Sequence, residues 1–261
     1  MTGAGGPSGP PFLFLFLPGM FALGACLGSF FNVLIHRLPR AESIVRPGSR
    51  CPACGRPLRA RENVPLASFL LLRGKCAGCG AGISWRYPAV ELLTGAGFCL
   101  IAYADGPGFL LLRDLVFFSL LVPIVFIDID HRIIPDELSL GGLAAGILLS
   151  FLPAGDWKGS LAGALLGGGV LYVTAVAYRR ITGIEGMGGG DIKLLAMIGA
   201  FLGWRGALFT MFLGSMLGVA GGLVAMRKGQ DGLRTAIPYG PYLCAAALAA
   251  RFLGDAFWGL L

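Results

Sequence analysis

Long apolar runs separated by short polar connections dominate the chain, near residues 12–35, 89–104, 109–127, 138–152, 160–178, 192–202, 207–225 and 239–253. A hydrocarbon core about 30 Å thick takes roughly 20 residues of α-helix to cross. The runs therefore predict an all-α fold, a polytopic membrane helix bundle of about eight spans. The fourth and sixth runs are short for a crossing, and short or broken spans are tolerated where the backbone faces protein or a cavity. Residues 202–207 also read as a bend within one long helix. The remaining long stretch, 36–87, is the one segment with room for an extramembrane structure. The chain thus divides into a Gly- and Pro-rich leader 1–11, a first span 12–35, a polar loop 36–87 and a membrane-embedded bundle 88–261. The leader lacks the positive n-region of a secretory signal and is expected to be disordered.

Composition agrees with the pattern. Of 261 residues, 56% are hydrophobic and only 13% charged, and the mean hydropathy is +0.76, far from a soluble domain of this length. Glycine, present 43 times, lets membrane helices approach closely, and residues 161–170 suit that use. Charge sets orientation. The loop holds Arg37, Arg40, Arg46, Arg50, Arg56, Arg59, Arg61, Arg73, Lys75 and Arg86 against Glu42 and Glu62, so the positive-inside rule puts it in the cytoplasm and the N-terminus outside. Eight spans threaded from there leave only Arg113, Lys158, Arg205 and Arg251 near the outer side. Orientation accounts for the net charge of +7, and no nucleic-acid partner is expected.

Two C-x2-C turns, Cys51–Cys54 and Cys76–Cys79, stand 21 residues apart in the basic loop, each followed by glycine (Gly55, Gly80). Four thiolates from two such turns can surround one Zn2+ tetrahedrally. A cytoplasmic loop is reducing, which argues against disulfides. Cys26, Cys99 and Cys244 sit singly in apolar runs, as small hydrophobes do. With four sulfurs no coordination position stays open, so the metal is expected to be structural and to fold a loop with little core of its own.

Among the acids, Asp105, Asp156, Glu185, Asp231 and Asp255 fall in connecting segments and read as solvated. Glu91 and Asp114 lie just inside spans, where an ionisable side chain is a functional suspect or faces the bundle. The segment 126–137 carries Asp128, Asp130, Asp136 and Glu137 directly after an apolar run. Asp136, behind Pro135, reads as a helix N-cap. Asp128 lies at the cytoplasmic end of the third span, where helix polarity opposes a carboxylate. Asp191 ends Gly186-Met-Gly-Gly-Gly-Asp191 just before the sixth run, and locally it reads first as an N-cap. Threading, however, brings Asp128 and Asp191 to one membrane face. Two close carboxyl groups suit peptide hydrolysis, one activating water and the other donating a proton to the carbonyl oxygen.

The chain resembles the type IV prepilin peptidases, bifunctional leader peptidases and N-methyltransferases of pilus and type II secretion systems. The likeness rests on Gly28-Ser-Phe-Phe-Asn32 through His36-Arg37-Leu-Pro39, both cysteine turns with Asn63-Val-Pro65 between them, Tyr87-Pro-Ala-Val-Glu91, Asp128-Ile-Asp130 through Pro135-Asp136, and Glu185 through Gly188-Gly-Gly190-Asp191-Ile-Lys193. It implies that Asp128 and Asp191 are the catalytic pair, with Asp130 the competitor for the first role. It also implies an inner-membrane, multi-pass enzyme facing the cytoplasm, whose substrates are prepilins or pseudopilins with a short basic leader cut after glycine. S-adenosylmethionine would be the methyl donor. No independent signature in the residues marks that second activity. The basic loop has surface for the leader or for acidic membrane lipids. Helix polarity predicts Asp191 as the base and Asp128 as the neutral partner. Two other classes make different demands. A proton-coupled transporter needs acids near the midplane and repeated broken-helix halves; a membrane-anchored zinc-ribbon module has no use for the aspartates.

Overall fold

A computed structural model of the chain describes residues 10–153, 155–184, 186–227 and 238–259. The expectations for leader residues 1–9, for Glu185 and for Asp231 lie outside the described residues. Helices are α1 (Pro10–Arg37), the short α2 (Ala67–Leu71), α3 (Arg86–Asp105), α4 (Phe109–His131), α5 (Asp136–Ser150), α6 (Trp157–Thr182), α7 (Gly189–Arg227) and α8 (Gly240–Trp258). The first helix begins at Pro10, inside the stretch expected to be disordered; proline is tolerated in a first turn, where its missing N–H has no intrahelical partner. Each of the eight apolar runs falls on a helix, short of an end residue or two, and the fold is all-α among the described residues.

Among the described residues, five helices are long and apolar enough to cross a membrane: Phe14–Arg40, Arg86–Asp105, Phe109–His131, Trp157–Thr182 and Gly189–Val224. The chain is a multi-pass membrane protein. The sixth and seventh runs are joined in α7, whose 39 residues are interrupted only at Gly203 (φ 71°, ψ −178°). Straight, that helix would measure about 58 Å, well beyond a bilayer core. Gly203 supplies the positive φ at which the backbone turns. The 15 residues of α5 reach only about 22 Å, too short for a crossing of their own.

The chain forms two compact units, residues 1–123 and 124–261. In the first, α1 lies on α3 through small residues. A Cβ at Gly28 would sit 2.8 Å from the Glu91 backbone, and one at Gly24 2.7 Å from the carbonyl oxygen of Thr94. Asn32 Nδ2 donates to the carbonyls of Gly28 (3.2 Å) and Tyr87 (3.1 Å), tying α1 to the start of α3. Val90, Phe98, Phe117 and Leu121 are fully buried.

In the second unit α6 and α7 are in backbone contact. A Cβ at Gly163 or Gly199 would overlap the other residue's carbonyl, and Gly167 faces the carbonyl of Leu195. Ser160 Oγ donates to the Ala200 carbonyl (2.7 Å). Without a hydrophobic driving force between helices in lipid, such contact and buried polar links are what hold a bundle together. The glycines at 161–170 therefore act as the sequence suggested. Asp156, expected to be solvated, is the N-cap of α6 and accepts from the Gly159 N–H (2.9 Å).

Candidate active site and metal centre

The loop between α1 and α3 holds two knuckles with one hydrogen-bond pattern. Cys51 N–H donates to Arg56 O (2.9 Å) and Gly55 N–H to Cys51 O (2.9 Å); Cys76 N–H donates to Ala81 O (2.8 Å) and Gly80 N–H to Cys76 O (2.9 Å). Gly55 and Gly80 take the same positive φ, 70° and 71°, which a side chain would strain. The sulfurs of Cys51, Cys54, Cys76 and Cys79 all lie within 4.8 Å of one another, and those of Cys51 and Cys79 are 3.9 Å apart. Zn–S bonds near 2.3 Å in a tetrahedron separate sulfurs by about 3.8 Å, so the cluster fits a structural zinc.

Its electrostatics point the same way. The backbone N–H groups of Cys79 and Gly78, with the thiol of Cys51, bring Cys76 down to about 6. Cys79 behaves oppositely. The Ala81 N–H favours its thiolate, yet the thiol of Cys54, burial and the sulfurs of Cys76 and Cys51 push it up to about 11. Four crowded sulfurs cannot all ionise unless a cation joins them. Arg56 braces the first knuckle through Glu62 (2.9 Å), and the Arg59 N–H and Arg56 together hold the Glu62 carboxyl below its ordinary value.

Glu91, undecided from sequence, is buried on α3, and its Oε2 accepts the Leu66 N–H (2.8 Å). Leu66 itself adopts a positive φ of 59°. The carboxylate thus fastens the loop, Asn63-Val-Pro65 included, to a membrane helix. Asp114, also undecided, is 3% exposed and paired with Arg113 (2.8 Å).

The second unit carries the other predicted pair on two helices, with a third beside them. Asp128 lies near the end of α4 at 5% exposure, whereas Asp130, two residues on, is exposed. Asp191 is in the first turn of α7 and half-buried. Ile134 lies beside both: a Cβ at Gly190, next to Asp191, would be 3.0 Å from Ile134 Cβ, and one at Gly240, next to Asp128, 3.4 Å from Ile134 Cδ1. The two acids therefore border one site. Gly240 completes it. Its N–H, at the start of α8, donates to Asp128 Oδ2 (2.9 Å), and a Cβ there would lie 2.8 Å from that oxygen. Sequence reasoning missed Gly240; the signal was a glycine between Tyr239 and Pro241 where an apolar run begins.

Three local expectations are corrected. Asp136 is not an N-cap: Pro135 holds that position and makes no side-chain cap bond. Instead Asp136 pairs with Lys193. Asp191 is not an N-cap either, because α7 starts two residues earlier at Gly189. The helix-polarity contrast between the acids also lapses. Helix α4 continues past Asp128 to His131, and the first turn of α8 aims an N–H at Asp128. Both carboxyl groups thus meet a helix N-terminus, and polarity does not separate their roles.

Comparison with known proteins matches this architecture. Residues 22–104 match the bacterial peptidase A24 N-terminal domain, and residues 115–223 match the type IV leader peptidase family. Proteins named prepilin leader peptidase/N-methyltransferase are similar over most of the chain. The one from Myxococcus xanthus is 45% identical over 223 residues, covering 85% of this chain and 67% of its own. That of Aeromonas salmonicida is 38% identical over 276 residues (95% and 93%), and that of Neisseria gonorrhoeae 33% over 271 residues (93% and 92%). The chain belongs to the type IV leader peptidase family. No solved structure matches it.

Proposed function

We propose that this chain is an aspartyl peptidase of the bacterial inner membrane that removes the short basic leader of type IV prepilins or pseudopilins, cutting after glycine at the cytoplasmic face, and that it also methylates the new N-terminus. The observation that carries the peptidase reading is the convergence of a buried Asp128 and a half-buried Asp191, residues 63 positions apart in sequence, on either side of Ile134. A transporter pathway has no need for acids at helix ends, and a zinc-ribbon module has no need for the acids at all.

In the mechanism we propose, the two carboxyl groups share one proton, since like charges this close do not both ionise cheaply. One carboxylate takes a proton from water as the water attacks the scissile carbonyl carbon, and the other donates its proton to the carbonyl oxygen; the diol then collapses, its C–N bond breaks, the first carboxyl gives its proton to the departing amine nitrogen and the second regains one from the diol hydroxyl. The pair titrates as a unit. The Gly240 N–H occupies Oδ2 of Asp128, which leaves Oδ1 as the working oxygen of that residue. The glycines before Asp191 leave room for an extended substrate backbone beside the acid.

The membrane setting suits such a substrate. In the second unit Trp157, Lys158, Trp204 and Arg205 cluster by the Gly203 bend, each cation lying over its neighbouring indole (5.6 and 5.3 Å). Aromatic and basic side chains of this kind mark a membrane interface, and Asp191 lies in the first turn of α7, 12 residues before the bend. The positive-inside bias supports the acid end as cytoplasmic, with the N-terminus outside, and the basic loop as surface for anionic lipid. Cys51, Cys54, Cys76 and Cys79 hold a structural zinc. S-adenosylmethionine supplies the methyl group, a reading supported by the names of the relatives.

The test is incubation of the detergent-purified protein with a pilin-like precursor, with and without S-adenosylmethionine. Mass spectrometry scores cutting and methylation separately. Cleavage after the leader glycine, followed by a mass gain of one methyl group only with the donor present, is expected. An uncut precursor overturns the peptidase reading; cutting without methylation restricts the function to hydrolysis.

A further inference from the structure

The N-termini of α5 and α7 are joined by Lys193 Nζ, which donates to both carboxylate oxygens of Asp136 (2.6 and 2.8 Å) across 57 residues of sequence. Asp136 opens α5, and Lys193 lies in the same opening segment of α7 as Asp191. We infer that this ion pair is a positioning clamp that sets the spacing of the two catalytic carboxyl groups. The inference rests on the peptidase reading above.

The connection from Asp128 to Asp136 is stiff enough to transmit such a constraint. Helix α4 closes with Arg132 in the left-handed region (φ 56°), its N–H bonded to Asp128 O (2.9 Å). A non-glycine residue holds that conformation only when its surroundings enforce it. Pro135 then fixes the entry to α5 (φ −60°) and accepts from Ser139 Oγ (3.0 Å). Few free torsions remain between the acid and the clamp. On the other side, a Cβ at Gly190 would lie 3.0 Å from Ile134 Cβ, so the start of α7 rests against the same turn. Ile134 and Gly190 set the contact; Lys193 and Asp136 set its register.

Stability is a poor explanation for this pair. The side chains are 37% and 57% exposed, and ion pairs so exposed contribute little to folding. A shift of about 1 Å between reacting groups, by contrast, lowers turnover by up to about a hundredfold.

The test uses the full-length protein in detergent, with Lys193→Met, Asp136→Asn and the reversed pair Lys193→Asp with Asp136→Lys, read as kcat and KM on a pilin-like precursor together with thermal unfolding. Each single variant is expected to lose roughly ten- to a hundredfold in kcat with KM within about twofold. The reversed pair recovers most of the loss, and all three unfold near the wild-type temperature. Raising salt from 0.1 to 1 M, round numbers that shorten the Debye length from about 10 Å to about 3 Å, lowers kcat of the wild type but not of the uncharged singles. The inference is overturned if the reversed pair stays as slow as the singles while folded, if only KM moves, or if lost turnover tracks lost thermal stability. A wild type that cuts nothing is instead a failure of the peptidase reading.

Discussion

The zinc-fitting loop and the aspartate pocket are built on opposite plans. In the loop, each half of the site is a self-contained turn of about six residues, and the second knuckle repeats the backbone bonds of the first, down to the φ of Gly55 and Gly80. In the pocket, nothing local is complete. Asp128 comes from the end of α4, Asp191 from the start of α7, and the N–H that holds Asp128 from Gly240 at the start of α8, 112 residues away. Local turns and a metal define the loop. The pocket depends on the close approach of whole helices, so substitutions far from it should matter.

The sharpest way to break the contrast is through the metal. Replacing Cys51 and Cys76 by serine should take bound zinc from one per chain to none, measured by atomic emission, and make the loop cut rapidly under limited trypsin digestion, because a structural site supplies folding energy to its segment. Full protection without zinc would contradict the loop's dependence on metal.

Next in size is packing in the helical unit. Gly163→Val or Gly199→Val forces apart backbones in contact and should destabilise by roughly 1–3 kcal/mol or more, lowering the unfolding temperature of the membrane domain and its peptidase activity together while zinc content stays at one. Gly240→Ala acts more narrowly. Its Cβ would crowd Asp128 Oδ2, so kcat should fall by about tenfold, the scale of a sub-ångström misplacement, with zinc content and unfolding temperature unchanged. The smallest effect belongs to Asp130→Asn. This exposed carboxylate should be replaceable with less than about threefold change in kcat/KM, within the range of a surface substitution. A large loss there would move the catalytic role from Asp128 to its neighbour.

Legibility in the sequence follows the same division. The helices and the four-cysteine cluster could be read directly because apolar runs and C-x2-C spacing are local patterns. Residues 202–207 could be read either as a link between two spans or as a bend, because one glycine serves both; the non-helical Gly203 (φ 71°, ψ −178°) makes a kink at which two helices meet. The acids were legible only after threading placed them on one face, and their local roles were misjudged. Asp136 and Asp191 carry the composition of N-caps, yet the helices start at neighbouring residues and free both side chains for long-range work. Gly240, Lys193 with Asp136, and Glu91 with Leu66 were invisible for one reason: each contact joins residues 25 to 112 positions apart, and no periodicity reports such pairs.

The aspartate pair is tested most directly by comparing purified Asp128→Asn, Asp130→Asn and Asp191→Asn proteins of matched zinc content and unfolding temperature, each given the same precursor in excess and followed by mass spectrometry. Loss of cleavage by about 10²-fold or more in the Asp128 and Asp191 variants, the scale of a removed acid or base, with near-normal cutting by the Asp130 variant, is the predicted result. Efficient cutting by either the Asp128 or the Asp191 variant would contradict it.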